Sequence, residues 1–337
     1  MRFGSFVFPV SKNPSEDHRV IDETLRESVA CDRAGFHAVW LTEHHFDGVT
    51  AYADPVVFAA AVSQNTKRVK IGFAVLEMAL HHPVRLAAQI SLLDNLSNGR
   101  IIVGTGKGSS FNEYEYMGFG VKMDEARNML LEAESLLVSA WSGEPVNFSG
   151  EFWNLSFPAM RPRPFQSPHP PIVRACISVD SMKEMASIGR PVLIGSTKNS
   201  DIEQRLNQFR GLLKLSGKPS REIESILNQS WVSKCLVVAE SESQAKYIAE
   251  SGFNQEQDHA SQSRKLYNPN GHSSSVRDNF KDSFIYGTPD KVTDSIKELE
   301  DIGVRNLMLK LNTGGMDADA VQNSIKLFTK NVMPRFQ

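Results

Sequence analysis

AVWLTEHHF, residues 38–46, joins four apolar residues to a carboxylate and two imidazoles. Ala38–Leu41 is predicted as a short buried strand, and Glu43, His44 and His45 follow at its carboxyl end. Strand ends of this kind are where α/β folds carry out chemistry. Because histidine changes charge near neutral pH, one ring of an adjacent pair can face a cavity while the other contacts its wall. His44 and His45 are therefore candidate catalytic residues, and a structural histidine pair is the alternative.

Composition and charge favour small-molecule partners over nucleic acid or membrane. The 337 residues suffice for one large barrel or two ordinary domains, and their apolar and charged fractions are typical of soluble globular proteins. A formal net charge of −2 gives no electrostatic reason to expect a polyanionic partner. The three cysteines form no CxxC pair, and the chain starts without a basic leader. We expect a reduced, cytoplasmic protein with neither export nor membrane insertion.

Short β-like runs alternate with segments of helical period, which indicates parallel strands joined by crossover helices. Within 17–34, for example, Ile21, Leu25 and Val29 recur every four residues, so one face of a helix can be buried. The predicted strands are 3–10, 38–41, 69–76, 101–104, 172–175, 192–194, 231–238 and 306–311. The predicted helices are 17–34, 55–62, 83–96, 123–141, 181–188, 201–215, 289–302 and 318–333. About eight strand–helix units predict an α/β fold of the closed (β/α)8 TIM barrel type rather than a doubly wound sheet.

Two insertions are predicted on this barrel, which we expect to form a single domain over residues 1–337. Residues 144–158 alternate around a Ser-Gly turn, which predicts a β-hairpin. Residues 252–282 are polar and weakly periodic, which predicts a mobile loop, often a lid. The proline-rich connector 158–171 is expected to form an extended wrap, with a domain boundary as the alternative.

A glycine-rich turn after the strand 101–104 carries the first candidate for a phosphate site. Glycines within Gly104–Ser110 would let backbone amides approach a phosphate, and Lys107 adds positive charge. The stretch is not a Walker A motif, because a glycine follows the lysine. A plain strand-to-loop turn is the alternative.

Three further residues are phosphate candidates whose position depends on the fold. Arg127 lies in a predicted helix, where a surface cation paired with a neighbouring acid is the alternative. Ser178 and Ser181 lie between a strand and a helix, where hydroxyls cap helices and free amides can hold phosphate. They form one site with Lys107 only if the barrel brings them together.

Five neighbouring donors raise the question of a metal centre. Glu43, His44, His45, His81 and His82 could supply enough ligands. Adjacent residues on a strand point to opposite sides, however, and the chain contains neither HxH nor HExxH. We therefore expect no metal ion.

Several motifs taken together resemble the flavin-dependent luciferase-like monooxygenases, and especially the α subunit of bacterial luciferase. The similarity runs nearly from end to end of the chain. EHHF and HPVR are specific in combination, whereas either alone is weak. The matching segments are 1–4 (MRFG), 35–46 (GFHAVWLTEHHF), 82–85 (HPVR), 92–94 (LLD), 99–100 (GR) and 332–334 (VMP).

The resemblance implies a (β/α)8 barrel whose strand-end cavity binds reduced FMN. In the family this cofactor reacts with O2 to give a C4a-peroxyflavin, which here would oxidise a small organic substrate such as an aldehyde or a ketone. No segment indicates an NAD(P)H domain, so a separate flavin reductase is expected to supply FMNH2. The resemblance also implies pairing through helices of the N-terminal half of the barrel, and we expect a homodimer.

The resemblance assigns roles to individual residues. His44 matches the family's catalytic histidine, and His45 occupies the adjacent family position. Phe6, Ala74 and Val75 match the wall against the flavin ring, where the family carries a non-prolyl cis peptide bond. The positions that match the phosphate tail are Lys107, Arg127, Ser178 and Ser181.

Three positions depart from bacterial luciferase. Lys107 replaces an arginine, which keeps the charge but loses the bidentate fork. Gly106 stands where the luciferase has its reactive cysteine, and Ser196 where it has a tryptophan near the flavin. We therefore expect a pocket that is reshaped around the ring, and the departures argue against light emission.

Three other functions are alternatives. A flavin-holding or partner subunit would lack turnover, and the presence of His44 argues against it. An F420-dependent oxidoreductase would transfer hydride without using oxygen. A metal hydrolase would use the donors around His44 and His45.

Overall fold

Twelve strands form in the residues that the computed structural model describes, 1–270 and 279–336. Most of them are the apolar runs predicted from the sequence, which bury their side chains between the ring and its helices. They are β1 (Arg2–Val7), β2 (Ala38–Leu41), β3 (Lys70–Phe73), β4 (Leu76–Glu77), β5 (Ile101–Gly106), β6 (Val146–Ser149), β7 (Asn154–Phe157), β8 (Ile172–Ala175), β9 (Val192–Ile194), β10 (Trp231–Val238), β11 (Phe284–Gly287) and β12 (Asn306–Lys310).

Eight of these strands close into a parallel ring, which confirms the predicted (β/α)8 barrel. The order around the ring is β1, β2, β3, β5, β8, β9, β10, β12 and back to β1. β4 pairs with the end of β5, and β11 pairs with the end of β10. β6 and β7 form a separate antiparallel hairpin, as predicted for 144–158.

Helices cover the outside of the ring and its carboxyl end. They are α1 (Asp17–Ala34), α2 (Pro55–Asn65), α3 (Pro83–Leu96), α4 (Glu113–Gly118), α5 (Ala126–Trp141), α6 (Val179–Ile188), α7 (Asn199–Leu215), α8 (Ser220–Leu227), α9 (Glu242–Tyr267), α10 (Phe280–Ser283), α11 (Pro289–Asp301) and α12 (Ala318–Leu327). Within the described residues, none of these helices combines the length and the apolar character needed to cross a membrane.

Local sequence signals set the boundaries of several helices. α1 ends at Gly35, whose φ of 87° lies in the left-handed region that favours glycine. α2 begins behind Asp54, whose carboxylate accepts hydrogen bonds from the backbone N–H groups of Val56 and Val57, with Pro55 in the first turn. The helices predicted at 17–34 and 83–96 match α1 and α3 in both bounds.

Two tryptophans pack against each other in the apolar cluster inside the ring. Trp40 of β2 is fully buried and packs against Trp231 of β10, with ring centroids 5.1 Å apart. Glycines on neighbouring strands make room for this pair. A Cβ at Gly72 would lie only 2.4 Å from the Trp40 ring, so any larger residue there would displace the tryptophan.

Helix α9 shows that the prediction of a mobile loop at 252–282 was wrong for its first half. The helix begins behind Ser241, whose hydroxyl accepts a hydrogen bond from the backbone of Gln244, and it continues through residue 267. Its buried residues are small, so the helical period carries no apolar stripe that could be recognised: they are Ala245, Ala249, Gly252 and Ser263. Residues 271–278 of the predicted loop lie outside the described residues.

Some element boundaries also differ from the sequence analysis. The first strand ends at Val7 instead of residue 10, and the strand predicted over 69–76 divides into β3 and β4. The helix predicted over 318–333 is α-helical only as far as Leu327, and a π-helical turn, Phe328–Val332, follows it. Sequence analysis misses β11, α4, α8 and α10, because segments of four to eight residues are too short to show a clear period.

Candidate functional site

One cavity at the carboxyl ends of the barrel strands brings together seven of the nine predicted site residues. Its volume is about 640 Å³, which is in the range of cofactor and ligand sites. The loops that follow β2, β3, β5 and β8 form its walls, with α5 along one side. The predicted residues that line it are His44, Ala74, Val75, Lys107, Arg127, Ser178 and Ser181.

The other two predicted residues lie beside the cavity. Phe6 packs with Ala74 and Val75 in the apolar cluster inside the ring. His45 is buried, and its Nε2 lies 2.8 Å from Oε1 of Glu43 while its ring faces Phe119. His45 therefore stabilises the cavity wall from behind, and we expect no direct contact between its ring and a ligand in the cavity.

Glu43 is a buried carboxylate that ties three segments together. Its Oε1 lies 2.8 Å from His45 Nε2 and 2.9 Å from His81 Nε2, and its Oε2 accepts a 2.7 Å hydrogen bond from the backbone of Glu77. Burial alone would raise the pKa of Glu43. The charge of His81 and the hydrogen bonds from His45 and His81 outweigh it and lower the pKa to about 2. Glu43 is therefore ionised at neutral pH, and its position is fixed.

His44 has a carboxylate partner of its own. Its Nδ1 lies 3.0 Å from Oε1 of Glu115, and that oxygen also accepts a 3.1 Å hydrogen bond from the backbone of His45. Burial alone would lower the pKa of His44. The hydrogen bond to Glu115 and the negative charge of Glu115 are the largest opposing influences, and the pKa is raised to about 9. His44 is thus a charged imidazolium at neutral pH and a proton donor in its resting state.

The candidate metal ligands named from the sequence do not lie together in the fold. Glu43 is occupied by His45 and His81, and His82 is exposed at the start of α3. A different trio forms at His44, Glu77 and Glu115, whose ligand atoms lie within 4.8 Å of one another. Sequence analysis missed both glutamates of this trio, because they lie far from His44 in the chain and no spacing rule connects the three positions.

A second part of the cavity, the cationic end, contains the start of α6 and Arg127, which forms a salt bridge with Glu184 of that helix. Ser178 caps α6, since its hydroxyl accepts a 3.2 Å hydrogen bond from the backbone of Ser181. Lys107 lines the same cavity. The capping role and a phosphate role are compatible here, because a helix start offers further backbone N–H groups to an anion.

Arg174 is a lining residue that sequence analysis missed. It is buried at β8, where its Nε lies 2.9 Å from Glu134 and its Nη1 lies 2.8 Å from Glu184. Glu184 also forms a salt bridge with Arg127. The available signal was a single arginine inside an otherwise apolar strand, because such a charge is retained in a core only when it is paired.

Two departures from bacterial luciferase have visible consequences. A Cβ at Gly106 would lie 2.5 Å from Cγ2 of Val75, so the branched side chain of Val75 occupies the space that a larger residue at 106 would need. Ser196 donates a 3.1 Å hydrogen bond to the Ser283 carbonyl. The peptide bond between Ala74 and Val75 is cis, as the resemblance implies.

The residues of the cavity fit reduced FMN. Apolar groups at Ala74 and Val75 offer a surface to a flat ring, and Lys107, Arg127 and the start of α6 offer positive charge and backbone N–H groups to a phosphate. These two features lie in one continuous cavity, with His44 beside the apolar wall.

Comparison with known proteins gives matches over the whole length of the chain. The sequence model of the family described as luciferase-like monooxygenase matches residues 1–306. The limonene 1,2-monooxygenase of Rhodococcus erythropolis is 26% identical over 339 residues, which cover 99% of this chain and 86% of that protein.

Solved structures of related proteins share the fold. The oxygenating constituent of 3,6-diketocamphane monooxygenase from Pseudomonas putida, in complex with FMN, aligns with a TM-score of 0.82 and 20% identity, covering 100% of this chain and 99% of that one. An F420-dependent secondary alcohol dehydrogenase aligns with a TM-score of 0.78 and 18% identity, covering 100% and 99%. At these identities the likeness establishes the barrel and leaves the cofactor to be argued from the site.

We predict that the ion pair between His44 and Glu115 makes stability depend on pH. The pKa of His44 is raised, so the contribution of the pair is present in full below pH 6.5 and is lost as the pH rises through about 9. Glu115→Gln should lower the free energy of unfolding by about 1–3 kcal/mol below pH 6.5. That deficit should shrink towards pH 9, as measured by urea denaturation across this range.

The matched control for this experiment is Glu113→Gln, on the same helix but outside the pair. It should cause no pH-dependent deficit. A deficit for Glu115→Gln that stays constant from pH 6 to pH 10 would show that the ion pair contributes nothing to stability.

Proposed function

We propose a function from one premise: the chain belongs to the luciferase-like monooxygenase family. The protein is the oxygenase of a two-component system, which receives FMNH2 from a separate flavin reductase and oxidises a small organic substrate with O2. The observation that carries this proposal is the single cavity in which His44, the wall at Ala74 and Val75, and the cationic end at Arg127 meet. The bound cofactor would supply the electrons that activate oxygen.

His44 is the proton donor of this reaction in our proposal. Its Nδ1 is occupied by Glu115, and no hydrogen bond to its Nε2 occurs among the described residues. The second nitrogen is thus available to a reacting group in the cavity. Because His44 is already protonated at neutral pH, it can donate a proton without first being protonated by another group.

We predict that His44→Ala slows oxygen-dependent substrate turnover by about 10²–10⁴-fold, because a positioned general acid contributes that much to a rate. FMN affinity should change little, since His44 lies away from the cationic end. The measurement is product formation with supplied FMNH2, and fluorescence titration gives the FMN affinity. His18→Ala, an exposed histidine on α1, is the control. Turnover at the rate of the unaltered protein would exclude His44 from the reaction.

Oxygen consumption separates the proposed function from its alternatives. If the protein binds FMNH2 without accelerating oxygen uptake or product formation, it is a flavin-holding subunit. If it binds reduced F420 more tightly than FMNH2 and transfers hydride without oxygen, it is an oxidoreductase of the other kind found among its structural relatives.

Arg127 would hold the cofactor phosphate through charge-assisted hydrogen bonds. We predict that Arg127→Ala weakens FMN binding by about 10- to 100-fold, because such bonds contribute about 1.5–3 kcal/mol. Riboflavin, which has the same ring but no phosphate, should bind equally well before and after the change. Arg26→Ala, which removes an exposed cation from α1, is the control. Equal losses for FMN and riboflavin would contradict the phosphate role.

A homodimer is part of the same proposal. α2 and α3 pack against each other and expose Val57, Leu92 and Leu96, beside a groove of about 720 Å³. Apolar residues gathered on one surface favour contact with another protein surface. We predict that Leu92→Lys shifts the sedimentation of a dimer to that of a monomer, whereas Leu215→Lys, on α7, does not. Sedimentation of the unaltered protein as a monomer would exclude the dimer.

A further inference from the structure

Glu77 is a second acid in the wall of the cavity, and the proposed function gives it no role so far. It ends β4 and is only 2% exposed. Its backbone N–H is bound to Glu43, and its side chain lines the cavity. A Cβ at Gly108 would lie 2.6 Å from Oε2 of Glu77, so the backbone of the glycine-rich turn closes over this carboxyl group.

The cations around Glu77 are already paired with other acids. Glu43 is matched by His81 and His45, and Glu115 is matched by His44. Among the described residues, no lysine, arginine or histidine forms a salt bridge or hydrogen bond with the Glu77 side chain. A buried carboxylate in this situation is strongly disfavoured unless it binds a proton or a cation.

Two oxygen atoms in this cluster have no partner. Oε2 of Glu77 and Oε2 of Glu115 are both buried and make no hydrogen bond among the described residues. The two carboxyl groups lie close to His44, with one side-chain nitrogen or oxygen of each of the three residues within 4.8 Å of the others. A proton on Glu77 would turn one unpaired acceptor into a donor, and it would remove the repulsion between the two acids.

Other groups facing Glu77 do not change this balance. From α4, the Tyr116 hydroxyl lies near Oε2 but donates to the Lys107 carbonyl at 2.6 Å. Lys107 lines the cavity as a cation, but it forms no salt bridge with Glu77. Burial and the negative charges of Glu115 and Glu43 raise the pKa of Glu77 well above its usual range, against the opposing charge of His44.

We propose that Glu77 is held as a neutral carboxylic acid and supplies the proton that restores the His44 imidazolium after His44 has protonated the reacting group. The inference rests on the proposed function and deepens it. His44 gives one proton to the reacting group and becomes neutral. Glu77 has a carboxylate oxygen within 4.8 Å of a ring nitrogen of His44, a gap that one solvent molecule spans. Through that molecule Glu77 gives one proton to the imidazole and becomes a carboxylate, and a proton from solvent returns it to the acid. No electrons move in these steps, and one proton is consumed in total.

Infrared spectroscopy tests the resting state without any turnover. At neutral pH and without added flavin, the unaltered protein should show the carbonyl band of a buried carboxylic acid, and this band should shift in D2O. The band should be lost in Glu77→Gln and retained in Glu113→Gln. Its absence from the unaltered protein would overturn the inference.

The titration of His44 gives a second measure of the charge on Glu77. If Glu77 is neutral, Glu77→Gln replaces one neutral group by another, and the NMR midpoint of His44 should move by less than about half a pH unit. If Glu77 is a carboxylate, its loss removes a negative neighbour, and the midpoint should fall by more than that. Glu115→Gln removes the direct partner and should lower the midpoint clearly, which calibrates the measurement.

The kinetic test separates proton supply from a purely structural role. Glu77→Gln should slow turnover at least tenfold at high pH, and the deficit should shrink as the pH falls and solvent protons become abundant. FMN affinity should not change. Glu77→Asp, which keeps a titratable group, should restore part of the rate. A pH profile for Glu77→Gln parallel to that of the unaltered protein would overturn the role in proton supply.

Two further outcomes separate this inference from a metal site at the same residues and from a failure of the proposed function. Binding of Mn²⁺ or Zn²⁺ that abolishes the infrared band and depends on Glu77 would identify the trio as a metal site and overturn the inference. If the unaltered protein neither binds FMNH2 nor consumes oxygen, the proposed function fails and the kinetic role of Glu77 fails with it. The infrared band still decides the protonation state in that case.

Discussion

The geometry of the cavity mouth depends on the pairing of one buried carboxylate, Glu43. This group binds His45 from its own segment, His81 ahead of α3, and the backbone of β4. A carboxylate removed from water is stable only when its oxygens are paired in this way. This pairing holds the His45 ring behind the cavity wall. Since adjacent residues in extended backbone point to opposite sides, His44 is left facing the cavity.

The charges that line the cavity are paired differently in its two parts, which gives a ligand a direction. Near His44 the carboxylates of Glu43 and Glu115 are matched by histidines, whereas Arg127 and the start of α6 form the cationic end. Electrostatic interactions are strong in a cleft with low-dielectric walls. An anionic phosphate tail would therefore be attracted to Arg127 and to the backbone N–H groups at the start of α6. A flavin bound in this direction places its ring against Ala74 and Val75, beside His44.

Much of this fold could be predicted from the sequence, because its strands are apolar and most of its helices are strongly periodic. α1 shows this clearly, with one buried face and a glycine at its end. α9 could not be predicted, because it buries alanine, glycine and serine instead of large apolar residues. Periodicity reveals a helix only when its inner face differs from its outer face in hydrophobicity.

Some residues of the candidate site could likewise be proposed from the sequence and others could not. Residues within recognisable motifs, such as His44 and Lys107, could be proposed from the sequence. Glu115 and Glu77 could not, because their role depends on contacts between segments far apart in the chain. The backbone of β4 is fixed by Glu43, and Glu115 reaches His44 from a helix of only six residues. No spacing rule connects such positions, since the barrel alone brings them together.

The pairing of Arg127 bears on how firmly a cofactor would be held. Arg127 is bound to Glu184, which also binds Arg174. A phosphate that binds Arg127 has to share it with this carboxylate or replace it, so the gain from the new contact is reduced by the loss of the old one. The repulsion between phosphate and Glu184 reduces the gain further. In the two-component system that we propose, reduced flavin would arrive from another protein and leave again in each cycle. The pairing of Arg127 with Glu184 would then weaken the binding of the phosphate and favour that exchange.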